Sequence, residues 1–274
     1  MMELKQIEQH WKNWAEQFGQ DIRATEKSKT RKLLEVDALI RAIESSGFKK
    51  TDSFSILEAG CGTGHNCLAL AEAFPKAQIQ GFDYIPEMVA NAEKLKATVG
   101  VKNVKYKQGN LLDLAAADLK PKSFDIVFTN RCIINLNTHE LQREAVRNLS
   151  GLVSENGALI LAENPMIKFE EQNQLRKKLD LPPRSAPEFN LLIDESGILK
   201  ALDGVQFKLK YKDDFSALHD VLLYVLLPKI GNGEIDYDHP ILEAAKDLCP
   251  SVFASTPNAF GNFGQNRLYL FARS

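Results

Sequence analysis

The chain has 274 residues, 44% of them hydrophobic, and a formal net charge of −2. That length can bury one sizeable core, or one core with an elaborate cap, and the charge balance argues against a dedicated nucleic-acid or polybasic membrane binder while leaving room for a local basic pocket. The four cysteines, Cys61, Cys67, Cys132 and Cys249, show no metal-ligand spacing and read as free thiols of a reducing cytosol. No acid cluster with oxygen-ligand spacing is evident, so no metal is expected. The N-terminal stretch lacks the apolar core of a signal peptide, and the longest apolar run, residues 221–227, is too short to span a bilayer. A cytoplasmic location without membrane attachment is the expectation.

Apolar residues recur near helical spacing over residues 4–18 and again over 27–46, where Gly47 is the stop signal. A polar, turn-like stretch separates the two. The pattern then alternates. Strands are expected at 54–57, 77–82, 101–107, 124–129 and 158–162, with helices at 66–74, 86–96 and 139–152; Pro86 opens the second of these helices at its first turn. Such βα alternation predicts an α/β fold built on a mostly parallel sheet with helices on both faces. Beyond Pro165 come expected helices at 168–181 and 193–202, a Pro-rich connection between them, a strand at 205–211, an apolar helix at 215–227 and a last strand at 267–272. Residues 228–264, rich in Gly, Pro and Asn, read as irregular. The domain reading is an N-terminal helical cover over residues 1–50 and a main domain over 51–274, in which 214–264 form a long insertion before the last strand. An excursion of that length is usually functional.

The loop after the first strand is Glu58-Ala-Gly60-Cys61-Gly62-Thr-Gly64. Bare of side chains, it lets backbone approach a ligand, and the helix that follows presents free N–H groups to it. Three glycines alone are a weak signal. Their spacing, one residue apart twice, differs from the G-x-G-x-x-G of NAD proteins. With three further segments it resembles the class I S-adenosylmethionine-dependent methyltransferases: GFDYIPEMVANA at 81–92, QGNLLDL at 108–114 and FDIVFTN at 124–130 follow in the matching order. The resemblance covers roughly residues 54–165 and implies a Rossmann-like, seven-stranded fold with S-adenosylmethionine as cofactor.

It also implies roles. Gly60, Cys61, Gly62 and Gly64 would lie under the methionine end and ribose of the cofactor. Asp83 would accept hydrogen bonds from both ribose hydroxyls, a task suited to a carboxylate. Tyr84, Ile85 and Met88 would face the adenine, and Asn110 and Leu111 would read its edge, although many relatives carry an acid where Asn110 stands. Glu58 would order the loop or meet the amino group, or be merely a strand-end acid. His65 either touches cofactor or packs at the helix start.

Residues after the fourth strand face the methyl group in this fold, which places Asn130 and Arg131 at the site. Arg131 either clamps a phosphate or carboxylate or pairs with a neighbouring acid such as Glu163. Asn135 bonds substrate or caps a turn, and His139 is a base or a first-turn helix residue. Glu163, ending the fifth strand, is the first candidate for a general base. In the N-terminal cover, Arg23 and Lys27 line the pocket if the segment is a lid, and are a solvated charged loop otherwise. Asn190, Tyr211, His219, Tyr224 and Tyr237 are candidates to line the later cover, with His219 more readily a core residue. The reading is a methyltransferase for a small, polar, plausibly anionic metabolite such as a sugar, nucleotide sugar or phosphorylated compound, modified on oxygen. Its partner is that small molecule rather than nucleic acid, and the oligomeric state is left open. The alternatives are a protein or peptide methyltransferase, a non-catalytic regulator that binds S-adenosylmethionine, and an NAD(P) oxidoreductase.

Overall fold

A computed structural model describes every residue except Met1, Ala116, Ala254 and Pro257. The chain opens with α1 (Leu4–Phe18), a 3-10 turn (Ile22–Ala24) and α2 (Lys29–Ser45), capped by the Ser28 side chain, which accepts from the Arg31 N–H. There follow β1 (Ser55–Ala59), α3 (His65–Ala73), β2 (Gln78–Asp83), α4 (Pro86–Val99), β3 (Val104–Gln108), β4 (Phe124–Asn130), α5 (His139–Leu152) and β5 (Val153–Glu163). After these come α6 (Met166–Lys178), α7 (Glu195–Asp203) and β6 (Phe207–Asp213). The excursion before the last strand holds α8 (Ala217–Val221), a π-helical turn (Leu222–Leu226), α9 (Leu227–Ile230) and α10 (Leu242–Phe253); β7 (Arg267–Arg273) closes the fold.

The seven strands form one sheet in the order β3-β2-β1-β4-β5-β7-β6, parallel except for β7, which runs antiparallel to β5 and β6. Side chains alternate between faces, as the two-residue strand period requires. Ile56, Ile126, Phe128, Ala158, Ile160, Leu268 and Leu270 enter one core with α2, α3, α8 and α10. Leu57, Ala59, Val127, Leu159, Leu161, Tyr269 and Phe271 enter the other with α5 and α7. The strand order reverses between β1 and β4, and in such sheets the crevice beyond the carboxyl ends at that reversal is where ligands bind.

Two features go beyond the expectation. Residues 242–253 are helical, not irregular: Leu242, Ala245, Cys249 and Phe253 fall on one buried face, and this packing outweighs Pro250, which interrupts the last turn. The N-terminal helices also differ in kind. The α2 residues Leu34, Ala38, Leu39, Ala42 and Ile43 belong to the main core. By contrast, α1 buries only Ile7 and Ala15 and lies across the end of α4, where Ala15 and Ala24 pack with Ile85 and Met88. Leu39→Ala is therefore expected to cost roughly 2–5 kcal/mol. Leu33→Ala, half-exposed on the same helix, should stay within about 0.5 kcal/mol. Denaturant midpoints of the two variants check this, and equal effects would remove α2 from the core.

Candidate active site

A cavity of about 610 Å³ opens at the strand reversal, within the range of small-molecule sites. Its floor is the loop after β1. Gly60, Gly62 and Gly64 all have positive φ, between 52° and 81°, a succession of left-handed residues that turns backbone N–H groups to one side. Gly62 shows why a side chain is excluded: a Cβ there would lie 2.7 Å from Thr25 Cγ2. Its N–H donates to Asp83 Oδ2 at 2.7 Å, and the Ile85 N–H donates to Oδ1 at 3.0 Å. Burial raises the Asp83 carboxyl above its ordinary value, and these N–H donors hold it back. Gly60, Cys61, Gly62, Asp83, Tyr84, Ile85, Met88, Asn110 and Leu111 all line the cavity. Gly64 does not: it starts α3, and its carbonyl accepts from the Tyr106 hydroxyl at 3.0 Å. Asn110 spends its side-chain oxygen on the Leu112 N–H.

Glu58 reaches the cavity wall but works mainly inward. Its two oxygens accept from Asn66 Nδ2 at 2.7 Å and from the Cys67 thiol at 3.0 Å, so it fixes the start of α3. Burial pushes its carboxyl up to about 7. His65 also lines the cavity, with Nε2 3.0 Å from the Gln20 carbonyl. Helix α1 roofs this end. Trp11 Nε1 donates to Asn135 Oδ1 at 3.0 Å, Asn91 Nδ2 donates to the Ala15 carbonyl at 2.9 Å, and His10 stacks on Phe189 at 4.0 Å.

The far side is set by ions. Arg131, at the end of β4, has φ +53°, an uncommon conformation for a residue with a Cβ and one that concentrates at functional sites. The turn sends its guanidinium toward the N-terminal segment. Nε donates to Glu35 Oε1 at 2.9 Å, Nη1 to the Thr25 carbonyl at 3.0 Å, and Nη2 lies 3.0 Å from Glu26 Oε2. Glu26 also binds Arg31 through two N–H groups, at 2.9 and 2.7 Å. Glu35 also takes Lys32 at 2.9 Å, Asn130 Nδ2 at 2.9 Å and Asn266 Nδ2 at 3.0 Å. Both acids are fully buried. Burial alone would raise them, but the surrounding cations outweigh it and hold both below the usual carboxylate range. The alternative of an Arg131–Glu163 pair is thus not realised, and the arginine is already saturated by protein.

Glu163 is enclosed behind this loop and does not line the cavity. Its Oε1 accepts from Thr129 Oγ1 at 2.8 Å and from the N–H groups of Cys132 and Ile133 at 3.0 and 3.1 Å. Its Oε2 has no partner among the described residues. The structure makes it a positioning residue for the loop, not a base within reach of substrate. His139 likewise stays outside the wall, bonded to Gln142 at 2.9 Å. Arg23 is solvent-exposed and paired with Asp21. Lys27, Asn130, Asn135 and Asn190 do line the cavity. His219 is fully buried between Ser28 Oγ at 2.9 Å and Asp220 at 3.0 Å, the core role.

Sequence reasoning passed over Arg31, Lys32 and Arg184, which all line the cavity, and Trp11 in its roof. Helical phase shared by Arg31 and Glu35 was the one available signal for the first; nothing local marks Arg184. A cofactor with an amino acid end finds fitting groups here. Asn130, Asn164 and Asn190 line the cavity, and each carries a buried side-chain oxygen without a partner among the described residues. Such acceptors suit an ammonium. Asp83 beside the glycine loop suits a diol, and Tyr84, Met88 and Leu111 a flat apolar ring.

Comparison with known proteins agrees with the geometry. Residues 50–190 match the family model for the methyltransferase domain. An uncharacterised protein of Rickettsia prowazekii is 28% identical over 128 residues, 47% of this chain and 50% of its own length. A malonyl-[acyl-carrier protein] O-methyltransferase of Bacillus cereus is 31% identical over 124 residues, 45% of this chain and 42% of that protein. The chain thus spans about half the length of these curated relatives or less. Among solved structures, the magnesium protoporphyrin IX methyltransferase of Synechocystis PCC 6803 with bound S-adenosylhomocysteine superposes with a TM-score of 0.55 over 88% of this chain and 83% of its own, at 19% identity. That identity speaks to the fold alone.

Two predictions come from the buried acids. Burial pushes Glu163 up to about 7 from an ordinary value of 4.5, so between those pH values the folded chain holds a proton that the unfolded chain has released. The group's contribution to stability therefore declines as pH rises through that window. Glu163→Gln keeps the accepting oxygen and stays neutral, so its melting temperature relative to the parent should climb from pH 5 to pH 8. A difference that is flat with pH would show that Glu163 is ionised throughout. Arg131→Met leaves Glu26 and Glu35 short of a cation and should cost roughly 3–5 kcal/mol of stability. A denaturation curve that superposes on the parent's would show the network to be dispensable.

Proposed function

The chain belongs to the class I, S-adenosylmethionine-dependent methyltransferase-domain family, and from that membership we propose that it transfers a methyl group to oxygen on a small, polar, anionic acceptor enclosed in the cavity. The observation that carries the acceptor's charge is the cationic surplus of the wall. Lys5, Lys27, Arg31, Lys32, Arg131 and Arg184 line it, against the carboxyls of Glu8, Glu26, Glu58 and Asp83. The buried acids Glu26 and Glu35 neutralise part of that charge through Arg31, Lys32 and Arg131, and nothing of that kind answers Lys27 or Arg184 among the described residues.

Bound against the glycine loop, S-adenosylmethionine supplies an electrophilic methyl group on a positively charged sulfur. The protein's part is alignment and exclusion of water, and orientation can carry much of the acceleration. The α1 roof and the β6–β7 excursion enclose the site from two sides. An oxyanion acceptor would already carry the attacking charge, so the protein would need to supply no base, only to hold the acceptor in line and keep water away. The wall fits that route. Of the acids lining the cavity, Glu26, Glu58 and Asp83 accept from protein donors at 2.7 Å and Glu8 from the Tyr84 hydroxyl at 3.4 Å, while His65 Nε2 lies 3.0 Å from the Gln20 carbonyl. Glu163 and His139, the two candidate bases, stand outside it.

Asp83→Ala should weaken binding of S-adenosylhomocysteine by roughly 1.5–3 kcal/mol in calorimetry; unchanged affinity would sink the ribose assignment. Labelled methyl from S-adenosylmethionine, offered to sugar nucleotides, sugar phosphates, carboxylic acids and cell extract, should appear on an anionic small molecule. Label found only in protein or nucleic acid would replace this reading with a macromolecular acceptor.

A further inference from the structure

Three of the cations lining the site have a carboxylate, and Lys5, Lys27 and Arg184 have none among the described residues. Arg31 and Arg131 have Glu26, and Lys32 has Glu35. Arg184 is different. It lies on the Pro-rich connection after α6 and lines the cavity. Its Nη1 donates to Gln172 Oε1 at 2.8 Å and its Nη2 to Gln265 Oε1 at 3.2 Å. Its guanidinium lies 3.4 Å from the centre of the Tyr224 ring and 5.2 Å from that of Phe169. All of these partners are neutral. Two amides and an aromatic face orient a guanidinium without cancelling its charge, and they use two of its five N–H groups.

The surroundings add to the imbalance. Arg176, almost fully buried one helix away, also has no acid: Nε donates to the Pro182 carbonyl at 2.9 Å and Nη1 to the Tyr224 carbonyl. Lys27, exposed to solvent, meets only the Tyr237 ring, at 5.9 Å, among the described residues. The nearest carboxylate reached through these contacts is Asp220, one side chain removed behind Gln172 and already shared with the Gln265 N–H and His219. Tyr224 itself sits in the π-helical turn, its hydroxyl accepting from Arg31 at 3.0 Å. Such turns recur at functional sites. Placing two guanidinium groups in a partly enclosed space without a counter-ion is costly, and a bound anion removes that cost.

We propose that Arg184, held over the Tyr224 ring by Gln172 and Gln265, is the residue that recognises an oxyanion of the acceptor, a carboxylate or phosphate. This rests on the reading of the cavity as a methyl-transfer site. The fork geometry of a guanidinium suits two oxygens of one group, and the Tyr224 ring with the two amides fixes where the guanidinium sits. Arg131, by contrast, spends its donors on Glu26, Glu35 and the Thr25 carbonyl and is not the acceptor's clamp.

The test uses the full chain saturated with S-adenosylhomocysteine, with benzoate and inorganic phosphate as probes in calorimetry at fixed ionic strength. The parent should bind at least one probe with unit stoichiometry. Arg184→Gln should lose roughly tenfold to hundredfold in probe affinity with S-adenosylhomocysteine affinity unchanged. Arg184→Lys, which keeps the charge if the glutamine variant fails to fold, should bind the probe more weakly than the parent, because a point charge lacks the fork. A parent that binds S-adenosylhomocysteine but neither probe overturns the oxyanion site, as does a folded variant with parental probe affinity. A parent that fails to bind S-adenosylhomocysteine overturns the underlying methyl-transfer reading instead.

Discussion

The arrangement around the cavity depends on one buried ion network. Glu26 and Glu35 come from the N-terminal segment, and Arg131 comes from the end of β4; their contacts of 2.9 to 3.0 Å join chain regions about a hundred residues apart. Charges without water are tolerated only when every lone pair is met. Here the remaining oxygens are taken by Arg31, Lys32, Asn130, Asn266 and the Ser28 N–H. The network therefore does more than hold two acids. It presents Asn130 to the cavity with its oxygen free, fixes Thr25 against Gly62, and ties Asn266, the residue just before β7, to the same point. Because both acids are held below their usual range, the stability they give is present at neutral pH and falls away as pH drops through their folded values.

The same constraint divides the cavity's cations by task. An arginine that meets two carboxylates is a structural element, however close it lies to the reacting centre. One that meets only amides and a ring keeps its charge for a ligand. Arg131 lines the cavity, but its donors are spent on Glu35, Glu26 and the Thr25 carbonyl. This distinction also removes Glu163 as a base. With three donors on one oxygen and burial around the other, it stabilises the turn through which β4 delivers Asn130 and Arg131 to the site.

Much of this was legible in sequence where the signal was local. The strand–glycine loop–helix unit, the acid ending β2 and the FDIVFTN strand are contiguous patterns. Each fixes a backbone geometry that the surrounding chain cannot easily change, so Gly60, Gly62, Asp83 and Met88 all line the cavity at the strand reversal. What could not be read was pairing. Glu26 and Glu35 look like any acids on a charged loop and a helix; only the folded chain brings Arg131 between them. Arg184 sits in LPPRSAPEF, whose prolines announce a connection and nothing of where it passes. Helix α10 was hidden for a different reason, since Pro250 and the polar residues around it masked a buried stripe that runs Leu242, Ala245, Cys249, Phe253.

Those misses share a direction. The glycine loop, Asp83 and Met88 are local and come from the first half of the chain, whereas the rest of the cavity wall is drawn largely from three separate covers: the N-terminal segment, the connection after α6 and the excursion before β7. Residues from distant covers converge only through tertiary packing, and Tyr224 illustrates it. Its hydroxyl is bound by Arg31 from the first cover, its ring carries Arg184 from the second, and its own backbone is the π-turn of the third. A pocket assembled this way can change its acceptor by altering one cover while the sheet and glycine loop stay as they are. Relatives with one domain in common and differently named acceptors are what such a construction leads one to expect. On the proposed reading of the cavity, the acceptor's identity lies with Tyr224, Arg184 and Lys27 rather than with the glycine loop.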